Sequence, residues 1–188
     1  MSALLERALT AEVPAGSDHI LDAALALAAA SGLRNLTMDD VARRAGVGRM
    51  TVYRRFKTRD ALLDALAGRE ARRCLAELDA ASPVDAPLEE QVVAGFATAL
   101  RLTREHPLLA RLARVEPDSV LAAFTGTPLL GLCTAYLADR MRRSGLDGDE
   151  QLAELIVRVA ISFVLLPDTR IEDASLLLPL LQARAGSA

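Results

Sequence analysis

Apolar residues recur three or four positions apart along most of this 188-residue chain, a spacing that predicts a succession of α-helices. Residues 36–47 show the pattern clearly. Thr37 stands where its hydroxyl can cap a helix, with Asp40 three residues later as in a capping box. The apolar stripe that follows consists of Val41, Ala42 and Ala45. Gly46 then stands where a left-handed residue can end the helix without steric strain.

A second short helix follows after a turn. Val52 and Phe56 are four residues apart, so they share one face and can pack against the first helix. The small Ala42 allows the two helices to cross closely, and Gly46 lets the chain turn between them. This spacing is that of a helix-turn-helix unit. With the inner face so occupied, the residues expected to point outward are Arg49, Thr51, Arg54 and Arg55.

The ends of the later helices are predicted by capping residues and prolines. Thr58 can cap a helix that runs to about residue 81, and Pro107 suits the first turn of a short helix. His106 stands directly before that proline, where a role as a helix cap or turn residue is enough to explain it. Together these signals predict helices at 88–105, from 107, from 117, at 128–144, at 147–166 and at 172–184. The fold class is therefore all-α.

Charge is distributed unevenly along the chain, although its formal net charge is only −3. Residues 33–73 carry eleven basic and five acidic residues, a net charge of +6, whereas residues 74–188 carry ten and sixteen, a net charge of −6. Within residues 41–59 there are seven basic residues and no acidic one. A solvated helix face normally mixes both signs. An acid-free basic segment on a helix-turn-helix instead indicates a surface that faces DNA.

These features resemble the DNA-binding domain of the TetR family of bacterial transcriptional regulators. The similarity covers about residues 17–66 and rests on the helix at 20–32, LTMDDVARRAGV at 36–47, TVYRRF at 51–56 and RDALLDAL from Arg59. It implies an N-terminal three-helix helix-turn-helix DNA-binding domain at 17–64, preceded by a flexible tail at 1–16. A larger C-terminal helical domain for ligand binding and dimerisation would follow at 65–188.

The resemblance also implies contacts with double-stranded operator DNA. Arg49 and the two residues after it would open the recognition helix and face bases, while Tyr53 and Arg59 would meet phosphates. The full set of expected DNA-binding residues is Thr37, Gly48, Arg49, Met50, Thr51, Tyr53, Arg54, Arg55, Lys57 and Arg59. Two positions depart from the family's pattern. Gly48 replaces a residue that often caps the helix, and Asp39 stands where a cation can contact bases.

The helix at 150–166 predicts a homodimer because it is apolar nearly all round and must be covered on both sides. A leucine-rich helix follows it. Two such helices and their symmetry mates would form a four-helix interface across a twofold axis, as the last two helices do in the family. The expected interface residues are Leu152, Ile156, Val159, Phe163, Leu177 and Leu181. The alternative is the tightly buried core of a monomer.

By the same resemblance, the C-terminal helices would enclose a pocket for a small-molecule effector. Its expected lining is Phe96, Leu100, Phe124, Cys133, Tyr136, Arg158 and Ser162. So few aromatic residues favour an aliphatic or medium-sized apolar effector. Arg158 can pair with an anionic ligand, with an acid across the dimer interface, or with Glu154 one turn earlier. The last is favoured by its i, i+4 spacing.

Enzymatic function is not expected, since the sequence has none of the common nucleotide, metal or nucleophile motifs. Neither catalytic residues, a metal site nor a cofactor is predicted. Cys74 and Cys133 are expected to be reduced and buried. A signal peptide is not recognisable, and the uncharged run at 119–138 is broken by Pro128. A cytoplasmic protein without membrane association is therefore expected.

The predicted function is a transcriptional regulator, most simply a repressor released from a palindromic operator by its effector. The alternative is a helical DNA-binding or interaction protein without a ligand-induced switch.

Overall fold

In the computed structural model, residues 13–83, 85–115, 129–143 and 150–165 are described. Within these ranges the chain forms eight α-helices and a short 3-10 turn, with no strand, which confirms the all-α fold. The helices are α1 (Asp18–Ser31), α2 (Met38–Ala45), α3 (Arg49–Phe56), α4 (Arg59–Ala81), α5 (Leu88–Glu105), α6 (Pro107–Val115), α7 (Leu129–Arg143) and α8 (Glu150–Leu165). The helices expected from 117 and at 172–184 lie outside the described residues. None of the helices in these ranges combines the length and the apolar character that a membrane span requires.

The N-terminal helices α1 to α3 pack with the first half of α4 around one apolar core. Its largest fully buried side chains are Ile20, Leu21, Leu36, Val41, Val52, Leu62 and Leu66. Burying an aliphatic side chain of this size contributes about 1.5–3 kcal/mol. The core therefore fixes the orientation of α3, whose residues Val52 and Phe56 both point into it.

The predicted helix ends are confirmed by their hydrogen bonds. The amide of Asp40 donates to Thr37 Oγ1 at 3.1 Å, which caps α2. The amide of Ala61 donates to Thr58 Oγ1 at 3.1 Å, which caps α4. Gly46 follows α2 in the left-handed conformation, with φ 67°. The turn between α2 and α3 is thus the one that the sequence pattern predicted.

Helix α4 continues without interruption from the N-terminal core to the C-terminal helices. Its 23 residues span about 35 Å. The first half contributes to the core of α1 to α3, and the second half packs against α5. The domain division that we expected after residue 64 therefore falls inside a single helix.

A buried arginine connects the middle of α4 to α1. Arg69 is only 6% exposed. Its Nη1 atom lies 2.8 Å from Asp22 Oδ1 and donates to the carbonyl of Asp18 at 3.1 Å, and its Nε donates to Glu70 Oε1 at 2.7 Å. Partners from two helices thus compensate the buried charge.

Glu70 extends this network to the start of α6. Its Oε2 atom lies 3.1 Å from His106 Nε2. Because His106 Nδ1 accepts the amide of Leu109 at 3.4 Å, the proton of the neutral ring lies on Nε2 and is donated to Glu70. His106 therefore caps α6, as predicted, and also fixes it to α4. The other side of α6 contacts α1, where Arg111 Nη1 donates to the carbonyl of Ala30 at 3.0 Å.

We expect Glu70→Gln to lower the free energy of unfolding at neutral pH by about 1–3 kcal/mol, as disruption of a buried, charge-assisted hydrogen bond does. Burial alone would raise the pKa of Glu70, but the hydrogen bonds from His106 and Arg69 outweigh it, so the pKa lies below its ordinary value of 4.5. The ionised carboxylate therefore stabilises the fold above that ordinary value, and this contribution is lost as pH falls through the lowered pKa. Urea titrations at decreasing pH should show the difference between wild type and variant shrinking.

Glu77→Gln is the matched control, because Glu77 lies on the same helix but pairs with Arg101 at the surface, at 2.7 Å. An exposed pair of this kind contributes about 0–1 kcal/mol. Equal losses in the two variants would show that the buried network adds nothing beyond a surface ion pair.

Candidate nucleic-acid interface

Helix α3 has one buried face and one exposed face. Val52 and Phe56 are 0% and 3% exposed and anchor the helix on the core, in agreement with their predicted spacing. Arg49, Met50 and Arg54 are exposed on the other side, and Met50 is 76% exposed.

The start of α3 is formed by backbone alone. Gly48 precedes the helix in an extended conformation and supplies no side-chain cap, as its sequence implied. Its carbonyl accepts the amide of Thr51 at 2.8 Å. Thr51 itself is half-buried, so it is less outward than expected.

Arg49 is held in place by two neighbours although its side chain is exposed. Its Nε lies 2.9 Å from Asp39 Oδ1 on α2. Its guanidinium carbon lies 5.2 Å from the centre of the Tyr53 ring, and Nη2 is 3.5 Å from the Tyr53 hydroxyl. The Tyr53 hydroxyl and, next, the Asp39 carboxylate raise the pKa of Arg49. The side chain therefore remains a cation with a fixed direction.

Arg55 differs from the expectation that it points outward. It is half-buried, and its Nη1 donates to the carbonyl of Ala15 and to Ser17 Oγ, the latter at 3.2 Å. Those groups precede α1, where no helical partner is present, so a long cationic side chain can satisfy them. Val13 also packs against the N-terminal core. Residues 13–16, which we assigned to a flexible tail, are thus held against α3.

Arg59, expected to contact a phosphate, has intramolecular partners instead. Its Nε donates to the carbonyl of Leu36 at 2.8 Å, and its Nη2 donates to that of Leu33 at 2.5 Å. These bonds connect the start of α4 to the 3-10 turn between α1 and α2. A contact of Arg59 with DNA stays a prediction.

Lys57 is exposed at the end of α3 in a rare backbone conformation, with φ 53°. The amide of Thr58 donates to the carbonyl of Phe56 across it, which forms a γ-turn. A non-glycine residue with positive φ is strained by about 1–3 kcal/mol. The turn places the lysine side chain at the edge of the exposed face of α3.

Arg44, at the end of α2, is a further exposed cation near this face, and the sequence-based set of contacts omitted it. Its position in the acid-free basic segment is the sequence feature that could have identified it. Arg43 beside it pairs with Asp40 at 3.0 Å. We name the exposed surface formed by Arg44, Arg49, Met50, Tyr53, Arg54 and Lys57 the basic face.

In the C-terminal helices, the structure brings residues expected in the pocket together with residues expected at the dimer interface. The rings of Phe96 and Phe163 meet edge to face, with centres 5.2 Å apart. Leu100 and Val159 belong to the same cluster. Within the subunit, Phe163 and Val159 pack against α5 and are half-buried, so their part in a dimer interface stays a prediction.

Leu152 also packs within the subunit, beside Ala138 and Met141 of α7. Ile156 is half-buried and Leu155, which we had not included, is 47% exposed. The remaining expected interface residues, Leu177 and Leu181, and the expected pocket residue Phe124 lie outside the described residues.

Tyr136, expected to line the pocket, has polar partners on α4 and α7. Its hydroxyl donates to Asp79 Oδ1 at 2.6 Å, and Arg140 Nη1 binds the same oxygen at 2.6 Å. Burial and, secondarily, the hydrogen bond to Asp79 raise the pKa of Tyr136 to about 12. Cys133, one turn earlier, is half-buried and free, and burial raises the pKa of its thiol to about 11.

Arg158 adopts the local pairing that the sequence favoured. Its Nε donates to Glu154 Oε1 at 2.7 Å, and its side chain is 59% exposed. Ser162, one turn later, is exposed and donates to the carbonyl of Val159 at 2.6 Å. Neither residue lies at a buried wall, so the structure of the subunit does not support their expected place in a pocket.

Residues 20–66 match the family model described as bacterial regulatory proteins, tetR family. The chain is also similar to two proteins of Mycobacterium tuberculosis over most of its length. It is 26% identical to an uncharacterized HTH-type transcriptional regulator, covering 92% of this chain and 88% of the relative. It is 28% identical to the HTH-type transcriptional regulator AlkX, covering 84% and 79%.

Solved structures agree with this similarity. The TetR family repressor AlkX of Dietzia sp., implicated in biodegradation of n-alkanes, has a TM-score of 0.62 and 26% identity, over 92% of this chain and 98% of that one. The fatty acid degradation regulator FadR of Bacillus halodurans, at 19% identity over 89% and 93%, shares the fold with a TM-score of 0.61. Residues 20–66 thus form a helix-turn-helix domain of the TetR type, and over most of its length the chain is similar to TetR-family transcriptional regulators, which are typically DNA-binding repressors.

Proposed function

We propose that the chain is a homodimeric, cytoplasmic repressor that binds a palindromic operator and leaves it when an apolar effector binds. The observation that carries this proposal is the basic face, presented on a helix whose opposite side is anchored by Val52 and Phe56. An exposed helix of this kind fits the major groove. Twofold symmetry would place the two recognition helices about 34–36 Å apart, or a multiple of that distance.

Within the basic face, we assign base reading to the start of α3. The guanidinium of Arg49 suits the O6 and N7 acceptors of guanine, and the apolar side chain of Met50 suits the methyl group of thymine. Arg44, Arg54 and Lys57 would neutralise phosphates on either side of the groove. The first two residues would therefore carry specificity, and the other three would carry sequence-independent affinity.

Arg49→Ala should reduce the preference for operator over random DNA by about 1–3 kcal/mol, because a bidentate contact with one base is lost. The operator is first selected from a pool of random duplexes with the wild-type protein. Fluorescence anisotropy on the selected and a scrambled duplex, at several salt concentrations, then measures the preference. Arg54→Ala is the control, since it removes the same charge from the same helix. It should weaken binding to both duplexes alike and reduce the salt slope by about one.

The reverse result, with specificity lost in Arg54→Ala and kept in Arg49→Ala, would refute the assignment of the two residues. A wild-type protein that binds every duplex equally would favour the second candidate, a DNA-binding protein without sequence preference.

The dimer is proposed to form through α8, where Leu155 is 47% exposed in the subunit. Leu155 lies on the helix that the resemblance assigns to the dimer interface, where a second copy can cover its side chain. We expect Leu155→Glu to dissociate the dimer in sedimentation experiments, since the new charge would be buried between subunits. Operator affinity should then fall, because two linked heads gain from effective concentration and one head does not. Circular dichroism should show an unchanged helical fold.

Val115→Glu is the control for this experiment, because Val115 is an exposed apolar residue of α6, at 58% exposure. It should leave the oligomeric state unchanged. A wild-type monomer at micromolar concentration would refute the proposed assembly.

The effector is proposed to be an aliphatic molecule. The support is the apolar cluster around Phe96, Leu100 and Phe163, together with the similarity to the Dietzia AlkX repressor, which is implicated in biodegradation of n-alkanes. A ligand releases DNA only by as much as it binds the released state better. We expect a long-chain n-alkane to lower operator affinity in anisotropy titrations, and a diol of the same chain length to be without effect. Release by the diol alone would contradict an apolar site.

A further inference from the structure

We propose that Asp39 is a positioning residue for base reading: it holds the guanidinium of Arg49 so that its two terminal amino groups meet one guanine in each half-site. This inference rests on the proposed binding of an operator. It concerns a residue of α2 that departs from the family's pattern and that the expected set of DNA contacts did not contain.

The geometry that carries this inference is the fixed direction of an exposed side chain. Arg49 is 63% exposed, yet its Nε lies 2.9 Å from Asp39 Oδ1. On the other side its guanidinium stacks near the ring of Tyr53, with 5.2 Å to the ring centre. An exposed arginine normally samples many rotamers, whereas this one is confined between an acid and an aromatic ring.

Asp39 depends on this pair as much as Arg49 does. Its Oδ1 atom is buried and has no hydrogen-bond partner among the described residues, so the ion pair with Arg49 is what compensates it. A carboxylate oxygen removed from water without compensation is destabilising. The neighbouring Asp40 has a different role, since it bonds with Thr37 and Arg43 at the start of α2. Asp39 is therefore not needed for the side-chain cap of the helix.

The atoms left free by this pairing match one base. With the carboxylate beside Nε and one N–H of Nη2 donated to the Tyr53 hydroxyl, the remaining N–H groups of Nη1 and Nη2 can donate to a base. Guanine presents two acceptors, O6 and N7, side by side in the major groove. A side chain already held in this direction loses less conformational entropy on binding, which favours the matching base.

The negative charge of Asp39 should also act against unspecific binding. A carboxylate beside the groove repels phosphates, so it weakens binding to every duplex. This repulsion alone leaves the preference unchanged, and a preference arises because the positioned Arg49 offsets it only where a guanine is present. Removal of the charge should therefore tighten binding to random DNA while the preference for the operator falls.

The simpler alternative is that Asp39 only stabilises α2, as an acid in the first turn of a helix does. Under that alternative, substitution lowers thermal stability and affects all duplexes alike. The two roles thus predict different results for the preference for guanine, which does not depend on the stability of the fold.

The experiment compares wild type with Asp39→Asn on three duplexes: the selected operator, a scrambled duplex, and the operator with each half-site guanine replaced in turn by 7-deazaguanine. The 7-deaza base lacks the N7 acceptor. We expect one such replacement to weaken wild-type binding roughly 5- to 150-fold, the range for a bidentate base contact. Asp39→Asn should lose most of this sensitivity and bind the scrambled duplex at least as tightly as wild type.

Two matched variants separate positioning from charge. Asp60→Asn removes the same charge from the first turn of α4, where Asp60 is 82% exposed and lies 3.6 Å from Arg59. It should keep the sensitivity to 7-deazaguanine. In an Arg49→Ala background, Asp39→Asn should change this sensitivity no further, because the two residues act as one unit.

Three results would overturn the inference. The first is equal weakening of Asp39→Asn on all duplexes together with a lower Tm. The second is a wild-type protein that selects an operator but is insensitive to 7-deazaguanine, which leaves the proposed function intact. The third is a wild-type protein that prefers no duplex, which overturns the proposed function as well.

Discussion

The arrangement of the helices depends on the ion pairs and hydrogen bonds of the buried Arg69 guanidinium. A charge removed from water destabilises the fold unless it is paired on every side. Arg69 obtains its partners from α1 and from Glu70, and Glu70 accepts a hydrogen bond from His106 at the start of α6. A displacement of α6 would therefore leave part of this network unpaired. The helices that position the recognition helix and those that begin the C-terminal part are held by one set of polar contacts.

The arginine side chains of this chain have two different roles, and the role of each depends on which hydrogen-bond partners lie within its reach. Arg55 donates to the carbonyl of Ala15 and Arg59 to that of Leu36, so these side chains stabilise the N-terminal core. Arg44 and Arg54 remain exposed, and Arg49 lies between these extremes because it is exposed but confined. A basic segment therefore presents fewer fully exposed cations than its composition suggests. The net charge of the segment determines its electrostatic potential, whereas the local hydrogen-bond and ion-pair partners determine which side chains remain exposed.

The sequence predicts the helices and their ends well, because caps and turns depend on neighbouring residues such as Thr37, Gly46 and Thr58. It also predicts the inward face of α3 and the pair of Glu154 with Arg158, which are likewise local. It does not predict that Arg55 bonds near residue 15, since a contact between distant segments leaves no periodic signal. The sequence also contains a signal for the orientation of α8, because Glu150, Glu154, Arg158 and Ser162 recur every four residues and mark its more exposed side.

The γ-turn at Lys57 gives the end of the recognition helix a particular constraint. Glycine would adopt the positive φ of this position without strain, yet the chain has a lysine there, exposed beside α3. The sequence with the greatest folding stability is thus not the one with the strongest positive potential at this edge. Selection for thermal stability would favour glycine at this position, whereas selection for affinity to DNA would favour lysine. A stabilised variant with glycine at this position would have to recover the missing charge elsewhere on the basic face.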